Sequence, residues 1–245
     1  VDALQRIESH DDGLWIGAAA SLESAWRAIV QRWPTLTDVW LRFASPPIRH
    51  AGTLGGNVAN GSPIGDGAPV LMALDARLLL RQGDRTREIT LDDFYLDYMK
   101  NRLEAGEFVQ AIHIPPPPPS RQIRGYKISK RFDCDISAVC AGLALGLDDG
   151  IVTEARFAFG GMAATVRRAA AAEAAVTDRP WTEATLQAAM AALDTDFTPL
   201  TDLRASADYR RRVARALLRR LWLETRTDRP VPVSALNVRA VELTA

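Results

Sequence analysis

The sequence predicts an α+β fold, because helix and strand patterns change along the chain in a definite order. A mixture of the two comes first, two long apolar strands follow, and the remainder carries apolar residues at helical spacing. An antiparallel sheet followed by segregated helices is typical of α+β domains. With 245 residues, the chain is long enough for one large domain or two modest ones.

The first clear element is a helix over about residues 21–33. Its apolar side chains recur at helical spacing, Ser21 is a good N-cap, and Pro34 ends it. The next stretch is expected to be irregular, because the proline pair at 46–47 interrupts a regular helix or a central strand. A glycine-rich segment then covers residues 52–67.

A short apolar helix at about residues 69–74 precedes a predicted hairpin, in which RLLLRQ and REITL flank the turn at 83–84. The strand EFVQAIHI then leads into five consecutive prolines at 115–119. Such a run is stiff, extended and without backbone donors. We therefore expect a domain boundary there, between domains 1–119 and 120–245.

The second domain is predicted to contain a three-stranded antiparallel sheet followed by helices. IRGYKISKR supplies one strand, and SAVCAGLALGL and IVTEARFAFGG form a hairpin around the turn at 148–150. Helical spacing then predicts helices over about residues 168–177, 182–193 and 206–225.

Composition excludes several classes of function. Lys plus Arg and Asp plus Glu both total 30, and this balance argues against nucleic acid as a main partner. Cys134 and Cys140 are too few to hold an iron–sulfur cluster, and no histidine–cysteine cluster predicts a metal site. No apolar run is long enough to span a bilayer. Two unpaired thiols and no membrane segment predict a cytoplasmic protein.

The glycine-rich segment HAGTLGGNVANGSPIGDGAP is suited to a phosphate-bearing cofactor. Its glycines allow close approach of the backbone to a ligand, and successive amides in such a loop form an anion site. Thr53 and Asn57 add donors, and Asp66 is an acceptor for ribose or ribityl hydroxyls. The spacing matches neither the dinucleotide nor the Walker A motif, so a turn-rich surface loop stays an alternative.

The run FASPPIRHAGTLGGNVANGSPIGDGAPVLMALDARLLL closely resembles the flavin domain of the xanthine dehydrogenase family of molybdenum hydroxylases, including its GTxGGN and SPxxD motifs. KISKRFDCDISAV is similar to the family segment that follows the flavin site, and FGGMAATVRRA resembles the xanthine dehydrogenase branch. The resemblance extends from about Asp12 to Leu223.

This resemblance implies a two-subdomain FAD-binding fold of the vanillyl-alcohol-oxidase or PCMH type, followed by the C-terminal domain of molybdenum hydroxylase flavoproteins. It implies no catalytic side chain, because the redox chemistry belongs to the cofactor. The residues that it assigns to FAD are Phe43, Thr53, Leu54, Gly55, Gly56, Asn57, Asp66, Val109 and Lys127. For Phe43 and Val109 an ordinary core position is the alternative, and for Lys127 a solvated strand charge. The segment 133–135 is expected either near the flavin ring or as an exposed loop.

One departure from the family pattern concerns the N-terminus. The family begins its flavin domain with a strand and a V-x-GGT-like loop, which supplies the other half of the diphosphate site, and no such loop precedes Asp12. We therefore expect an N-terminally incomplete flavin domain, or else an incomplete FAD site.

The resemblance implies an FAD-dependent oxidoreductase subunit that passes electrons from iron–sulfur clusters through FAD to NAD, in purine catabolism. Molybdopterin and [2Fe–2S] are expected on partners, a molybdopterin-binding large subunit and an iron–sulfur domain, in a hetero-oligomer. The acceptor, NAD or oxygen, stays open at this point. Two alternatives are a flavoprotein subunit of a carbon monoxide or aldehyde-type hydroxylase, and a flavin-free assembly module.

Overall fold

Two larger antiparallel sheets organise the computed structural model, which describes residues 2–232 and residue 235. The remaining residues of the predicted domains 1–119 and 120–245 lie outside the described residues. The strands are β1 Ile7–His10, β2 Gly13–Gly17, β3 Arg77–Gln82, β4 Arg85–Thr90, β5 Tyr95–Asp97, β6 Lys100–Asn101, β7 Phe108–Ile114, β8 Arg121–Ile128, β9 Val139–Asp148, β10 Ile151–Gly160 and β11 Arg167–Arg168. The helices are α1 Leu22–Arg32, α2 Thr37–Arg42, α3 Pro46–Ala51, α4 Leu54–Ala59, α5 Gly67–Ala73, α6 Leu91–Phe94, α7 Ala170–Ala174, α8 Glu183–Asp196 and α9 Ala207–Thr225.

The first sheet has the strand order β1-β2-β7-β3-β4, and all its pairs are antiparallel. Alternation along β3 buries Leu78 and Leu80 completely, as expected for a strand with one face toward the core. These side chains share one apolar core with Trp26 and Ile29 of α1. A separate small sheet pairs β5 with β6.

The second sheet has four strands, in the order β11-β10-β9-β8, instead of the three that the sequence predicts. The additional strand β11 contains only two residues, paired with β10, and two residues carry no detectable alternation. Helices α8 and α9 share an apolar core with Leu143 and Phe157 of this sheet. On the other face, a Cβ at Gly142 would lie 2.2 Å from the Pro69 carbonyl oxygen, so glycine allows α5 to contact β9 directly.

Most of the predicted elements are confirmed, including both hairpins and α1. The expectation of irregular structure around the proline pair is wrong, because α3 begins at Pro46. Proline is tolerated in the first turn of a helix, where its missing N–H leaves no partner unsatisfied. The helix predicted at 168–177 is shorter and spans Ala170–Ala174. Strands β1, β2, β5 and β6 were not predicted.

Buried and half-buried charges link the second sheet to the helices α5, α6 and α7. Arg156 of β10 donates to the Met72 carbonyl at 3.0 and 2.8 Å and to Asp92 at 3.0 Å. Arg168 reaches the same Asp92 carboxylate at 2.9 Å and Glu173 at 2.6 Å. Nothing in this packing tests the boundary at residue 119, and the division into two domains stays a prediction.

Glu107 forms an ion pair with Arg87 at the rim of the first sheet. Hydrogen bonds from Arg87, at 2.7 and 2.8 Å, and from the Glu104 amide, at 2.8 Å, lower the pKa of Glu107 to about 2. Because the folded-state pKa is lowered from 4.5, the stabilisation is complete above about pH 4.5 and is lost as the pH falls toward about 2. We expect Glu107→Gln to lower the free energy of unfolding at pH 6, by an amount that shrinks below pH 4.

Urea unfolding of both proteins between pH 3 and pH 6 measures this difference. Glu88→Gln is the matched control, because Glu88 is an exposed carboxylate on β4, next to Arg87 in the chain. A difference between wild type and Glu107→Gln that does not change with pH would contradict the assignment.

Candidate functional site

A cavity of about 250 Å³, called the flavin cavity below, lies between the segment before α3, helix α4, the start of α5 and the segment after β8. Its lining contains four of the nine residues that the sequence assigns to a cofactor, namely Phe43, Asn57, Asp66 and Lys127. These residues are up to 84 positions apart in the chain (from 43 to 127), so only the fold brings them together.

Two polar residues in the lining of the flavin cavity, Asp66 and Lys127, form a buried cluster with Ser137. Lys127 Nζ donates to Asp66 Oδ2 at 2.5 Å and to Ser137 Oγ at 2.9 Å, and Ser137 Oγ donates to Asp66 Oδ1 at 2.5 Å. Lys127 is only 2% exposed, so the alternative of a solvated strand charge is wrong. A buried charge is tolerated only with such partners, and each member of the cluster satisfies the other two.

Three different elements position this cluster. Asp66 occupies the N-cap position of α5, Lys127 lies near the end of β8, and Ser137 lies just before β9. Because β8 pairs with β9 in register Lys127↔Cys140, the residues just before β9 are close to Lys127. No sequence motif identifies Ser137, since a serine before an apolar strand is ordinary.

Asn57 presents an unused amide to the flavin cavity. Within the described part of the chain, its side chain has no hydrogen-bond partner, although it lines the cavity beside Asp66. A Cβ at residue 67 would lie 2.7 Å from Asn57 Oδ1, so Gly67 makes the room that this side chain occupies. The carboxamide is therefore free to donate to, and accept from, a polar ligand.

The segment GTLGGN forms helix α4, not the open loop of amides that its glycines suggested. The amide of Leu54 donates to Ala20 O and that of Gly55 to Ala18 O, both at 3.0 Å. The amide of Gly56 donates to the Thr53 hydroxyl, which caps the helix, and the amide of Asn57 donates to the Thr53 carbonyl. A Cβ at Gly55 would lie 2.4 Å from the Ala18 Cβ, so this glycine is required for packing. The predicted cradle of free backbone amides is thus not formed.

The remaining predicted residues lie apart from the flavin cavity. Thr53 lines a different cleft of about 410 Å³, together with Ser21, Ser24 and His50. Leu54 and Gly55 are buried. Gly56 lies on α4 between Thr53, which lines this cleft, and Asn57, which lines the flavin cavity. Val109 is 6% exposed on β7 and belongs to the core of the first sheet. The structure therefore does not bring all nine residues to one surface.

The segment between β8 and β9 completes the wall, with Cys134, Asp135 and Ile136 in the lining of the flavin cavity. The amides of Arg131 and Ile136 donate to Asp135 at 2.8 and 2.9 Å, and these bonds, the first above all, lower the pKa of Asp135. Cys134 is exposed, as the alternative of an exposed loop expects. That segment 133–135 lies near the flavin ring stays a prediction.

Two arginines that the sequence analysis did not identify hold this wall in place. Arg42 donates to Lys127 O at 2.7 Å and to Phe132 O at 3.2 Å, and its guanidinium lies 4.4 Å from the centre of the Phe132 ring. Arg49 is buried, donates to the Phe43 carbonyl at 3.0 Å, and pairs with Glu23 at 2.6 Å. The partners of both arginines are either distant along the chain or backbone carbonyl groups. No local sequence motif therefore reveals these contacts.

The chemistry of the flavin cavity suits binding and orientation. Among the described residues no group of three or more His, Cys, Asp or Glu side chains could hold a metal ion. Burial raises the pKa of the nearby Cys140 thiol well above its usual value, so Cys140 is not a nucleophile. An aromatic ring, a free carboxamide and a carboxylate held by an ammonium group fit the ring and hydroxyl chain of a flavin. A volume of about 250 Å³ admits only part of FAD.

No helix in the described residues is both long enough and apolar enough to cross a lipid bilayer.

Two family profiles match the chain. Residues 1–117 match the "FAD binding domain in molybdopterin dehydrogenase", and residues 124–225 match the "CO dehydrogenase flavoprotein C-terminal domain". Over 208 residues the chain is 34% identical to the "Xanthine dehydrogenase" of Emericella nidulans, covering 79% of this chain but only 15% of that protein. Over 219 residues it is 30% identical to the "Putative xanthine dehydrogenase FAD-binding subunit XdhB" of Escherichia coli (strain K12), covering 88% of this chain and 75% of that subunit.

Solved structures show the same architecture. A carbon monoxide dehydrogenase from Hydrogenophaga pseudoflava, lacking the Mo-pyranopterin moiety of its cofactor, superposes with a TM-score of 0.84 at 28% identity, over 90% of this chain and 77% of that chain. The quinoline 2-oxidoreductase of Pseudomonas putida 86 has a TM-score of 0.79 over 91% of this chain and 78% of that chain. At 24% identity, it shows the likeness of fold alone. The α+β flavoprotein fold is therefore confirmed.

Proposed function

We propose that this chain, which belongs to the family of FAD-binding domains of molybdopterin dehydrogenases, binds FAD at the flavin cavity and passes electrons from iron–sulfur clusters to NAD. The observation that carries the proposal is the buried Asp66–Lys127–Ser137 cluster, of which Asp66 and Lys127 line the same cavity as the unused amide of Asn57. As a family member, the chain is an oxidoreductase subunit of the xanthine dehydrogenase-like molybdenum hydroxylases.

FAD, when bound, supplies the redox chemistry, and this chain supplies binding, orientation and exclusion of water. In the proposal, Asp66 accepts from flavin-chain hydroxyls while Lys127 and Ser137 hold its carboxylate in place. Asn57 contributes its free carboxamide, and Phe43 packs against the ring system.

Helix α4 connects this cavity to the cleft at Thr53. Thr53 and Asn57 are four residues apart, so they lie on one side of the helix, one turn from each other. We assign the diphosphate end of FAD to the segment Thr53, Leu54, Gly55 and Gly56. Because the backbone amides of this segment are already paired, the hydroxyl of Thr53 is the hydrogen-bond donor that remains for a phosphate. For Val109, the proposed role as an apolar residue lining the FAD site rests on the family resemblance alone.

The partners proposed for the chain follow from its relatives. The chain spans 15% and 17% of the length of the xanthine dehydrogenase and nicotinate hydroxylase of Emericella nidulans, and it is similar to separate FAD-binding subunits of other enzymes. We propose a hetero-oligomer with a molybdopterin-binding subunit and an iron–sulfur domain, in the cytoplasm and in purine catabolism.

A second candidate, the flavoprotein subunit of a carbon monoxide dehydrogenase-type hydroxylase, is favoured by the TM-score of 0.84 and by the profile match over residues 124–225. The two candidates share the flavin cavity and differ in the substrate oxidised on the partner.

Titration of the purified protein with FAD, followed by its visible absorbance, tests the proposal. We expect the wild type to bind FAD, and Asp66→Asn to raise the dissociation constant by about tenfold or more, because a hydrogen bond to a charged acceptor is lost. Asp84→Asn is the matched control, since Asp84 lies in the exposed turn of the first hairpin. Its FAD affinity should equal that of wild type.

Two results would contradict the proposal. Equal FAD affinity of wild type and Asp66→Asn would remove Asp66 from the site. A wild type that binds no FAD, alone or with its partner subunits, would favour a flavin-free assembly module.

A further inference from the structure

Helix α5 carries Asp66 at one end and is held by a charged side chain at the other. All seven of its residues, Gly67–Ala73, are buried, and Asp66 occupies its N-cap position. Asp66 and Met72 are six positions apart (from 66 to 72), which corresponds to about 9 Å along a helix. The carbonyl groups of the last helical turn have no partner within the helix. The end of α5 at Met72 is therefore open to donors from other elements.

Arg156 of strand β10 supplies donors to that end of α5. Its guanidinium group donates to the Met72 carbonyl from Nε at 3.0 Å and from Nη2 at 2.8 Å. The same group pairs with Asp92 at 3.0 Å and with Asp75, which follows α5, at 3.1 Å. Arg156 is buried, and these carboxylates compensate its charge inside the protein. The cation thus fixes the end of α5 to the second sheet.

The middle of α5 lies directly on the same sheet. A Cβ at Gly142 of β9 would lie 2.2 Å from the Pro69 carbonyl oxygen, and a Cβ at Gly160 of β10 would lie 3.3 Å from Pro69 Cγ. A buried helix packed this closely has little room to deform, because protein interiors are as dense as organic crystals. A displacement at Met72 is therefore passed along α5 to Asp66.

We propose that Arg156 is a positioning residue of the FAD site, which acts through α5 on the Asp66 carboxylate. The inference rests on the proposed binding of FAD at the flavin cavity. Arg156 does not line that cavity, so its effect on a ligand there is indirect. Hydrogen bonds from hydroxyl groups span at most about 3.0 Å between donor and acceptor, so a displacement of Asp66 by about 1 Å would weaken its bonds to the flavin chain.

Titration of the whole protein with FAD, followed by visible absorbance, tests the proposal. We expect Arg156→Met to raise the FAD dissociation constant by about tenfold, as for the loss of a hydrogen bond to a charged acceptor. Arg156→Lys keeps the buried charge but not the fork of donors that reaches Met72 and Asp92 together, and it should raise the constant by about threefold. If Arg156→Met does not fold, the lysine variant carries the same comparisons.

Arg168→Met is the matched control, because Arg168 pairs with the same Asp92 carboxylate at 2.9 Å. Within the described chain, Arg168 forms no hydrogen bond with α5, and its other partners are Glu173 and the Ala155 carbonyl. Loss of Arg168 therefore disturbs the same charge cluster without releasing the end of the helix. The FAD affinity of Arg168→Met should equal that of wild type within about twofold.

Lumiflavin, which has the ring system of FAD without its hydroxyl chain, separates positioning from a general loss of structure. Because Asp66 is proposed to bind the chain, Arg156→Met should change the lumiflavin affinity by less than about twofold. In the Asp66→Asn background, Arg156→Met should raise the FAD dissociation constant by less than about twofold more, since the two residues act as one unit. Equal losses of FAD and lumiflavin affinity, or fully additive effects of the two substitutions, would show a structural role only and overturn the inference.

The Asp66→Asn variant distinguishes failure of this inference from failure of the proposed function. Weakened FAD binding by Asp66→Asn with unchanged binding by Arg156→Met overturns the positioning role alone. Equal FAD affinity of wild type and Asp66→Asn, or a wild type that binds no FAD, overturns the proposed function and the positioning role together.

Discussion

Lys127→Met is expected to lower the free energy of unfolding by about 3–5 kcal/mol and to abolish FAD binding, because it leaves a buried carboxylate without its charge partner. Lys127 and Asp66 are 2% and 8% exposed, and among the described residues Ser137 is the only other side chain bonded to that carboxylate. Without the ammonium group, the buried Asp66 carboxylate would lose its compensating charge. Urea unfolding measures the first effect, and absorbance during FAD titration measures the second.

Two further variants separate charge pairing from cofactor binding. Lys100→Met removes an exposed lysine and should leave both stability and FAD affinity near wild type. The double variant Asp66→Asn/Lys127→Met should recover part of the lost stability, because both members of the buried pair are replaced by neutral groups. It should not recover FAD affinity. A stable double variant that binds FAD as tightly as wild type would show that the cluster is structural only.

Features specified by neighbouring residues could be predicted from the sequence. Ser21 and Ser206 cap α1 and α9, each through a hydrogen bond to its hydroxyl from the amide three residues later. Such signals are local, and so are the turns of the two hairpins. The motifs that indicate the family are local in the same way, since GTLGGN and SPIGD are each an uninterrupted stretch of sequence.

Features that depend on distant contacts could not be predicted in the same way. The glycines of GTLGGN suggested a loop, but carbonyls of Ala18 and Ala20 accept the amides of Gly55 and Leu54 and hold the segment as the start of a helix. Those partners are more than 30 positions away, and tertiary contacts override local propensity. For Lys127 the sequence indicated a basic residue near FAD, while its burial and its pairing with Asp66 appeared only in the structure.

Arg49→Met is expected to lower the free energy of unfolding by about 3–5 kcal/mol, because Glu23 would keep a buried carboxylate and lose its main partner. Arg49 and Glu23 are 6% and 8% exposed, and Arg49 Nε lies 2.6 Å from Glu23 Oε2. Arg49 also donates to the Phe43 carbonyl, so Phe43 should lose its fixed position in the flavin cavity and FAD affinity should fall. Urea unfolding and FAD titration measure the two effects.

Arg27→Met provides the matched control, because Arg27 pairs with the same carboxylate of Glu23 at 3.5 Å but has 63% of its side chain exposed. Loss of such a surface pair costs less than about 1 kcal/mol, so the difference between the two variants measures the effect of burial. Burial acts to raise the pKa of Glu23, but the Arg49 hydrogen bond and charge outweigh it and lower the pKa below 4.5. The stability advantage of wild type over Arg49→Met should therefore be complete above that pH and decline as the pH falls through the lowered pKa. Equal costs for the two variants, or a cost for Arg49→Met that is independent of pH, would contradict the assignment of this stability to the buried Glu23–Arg49 pair.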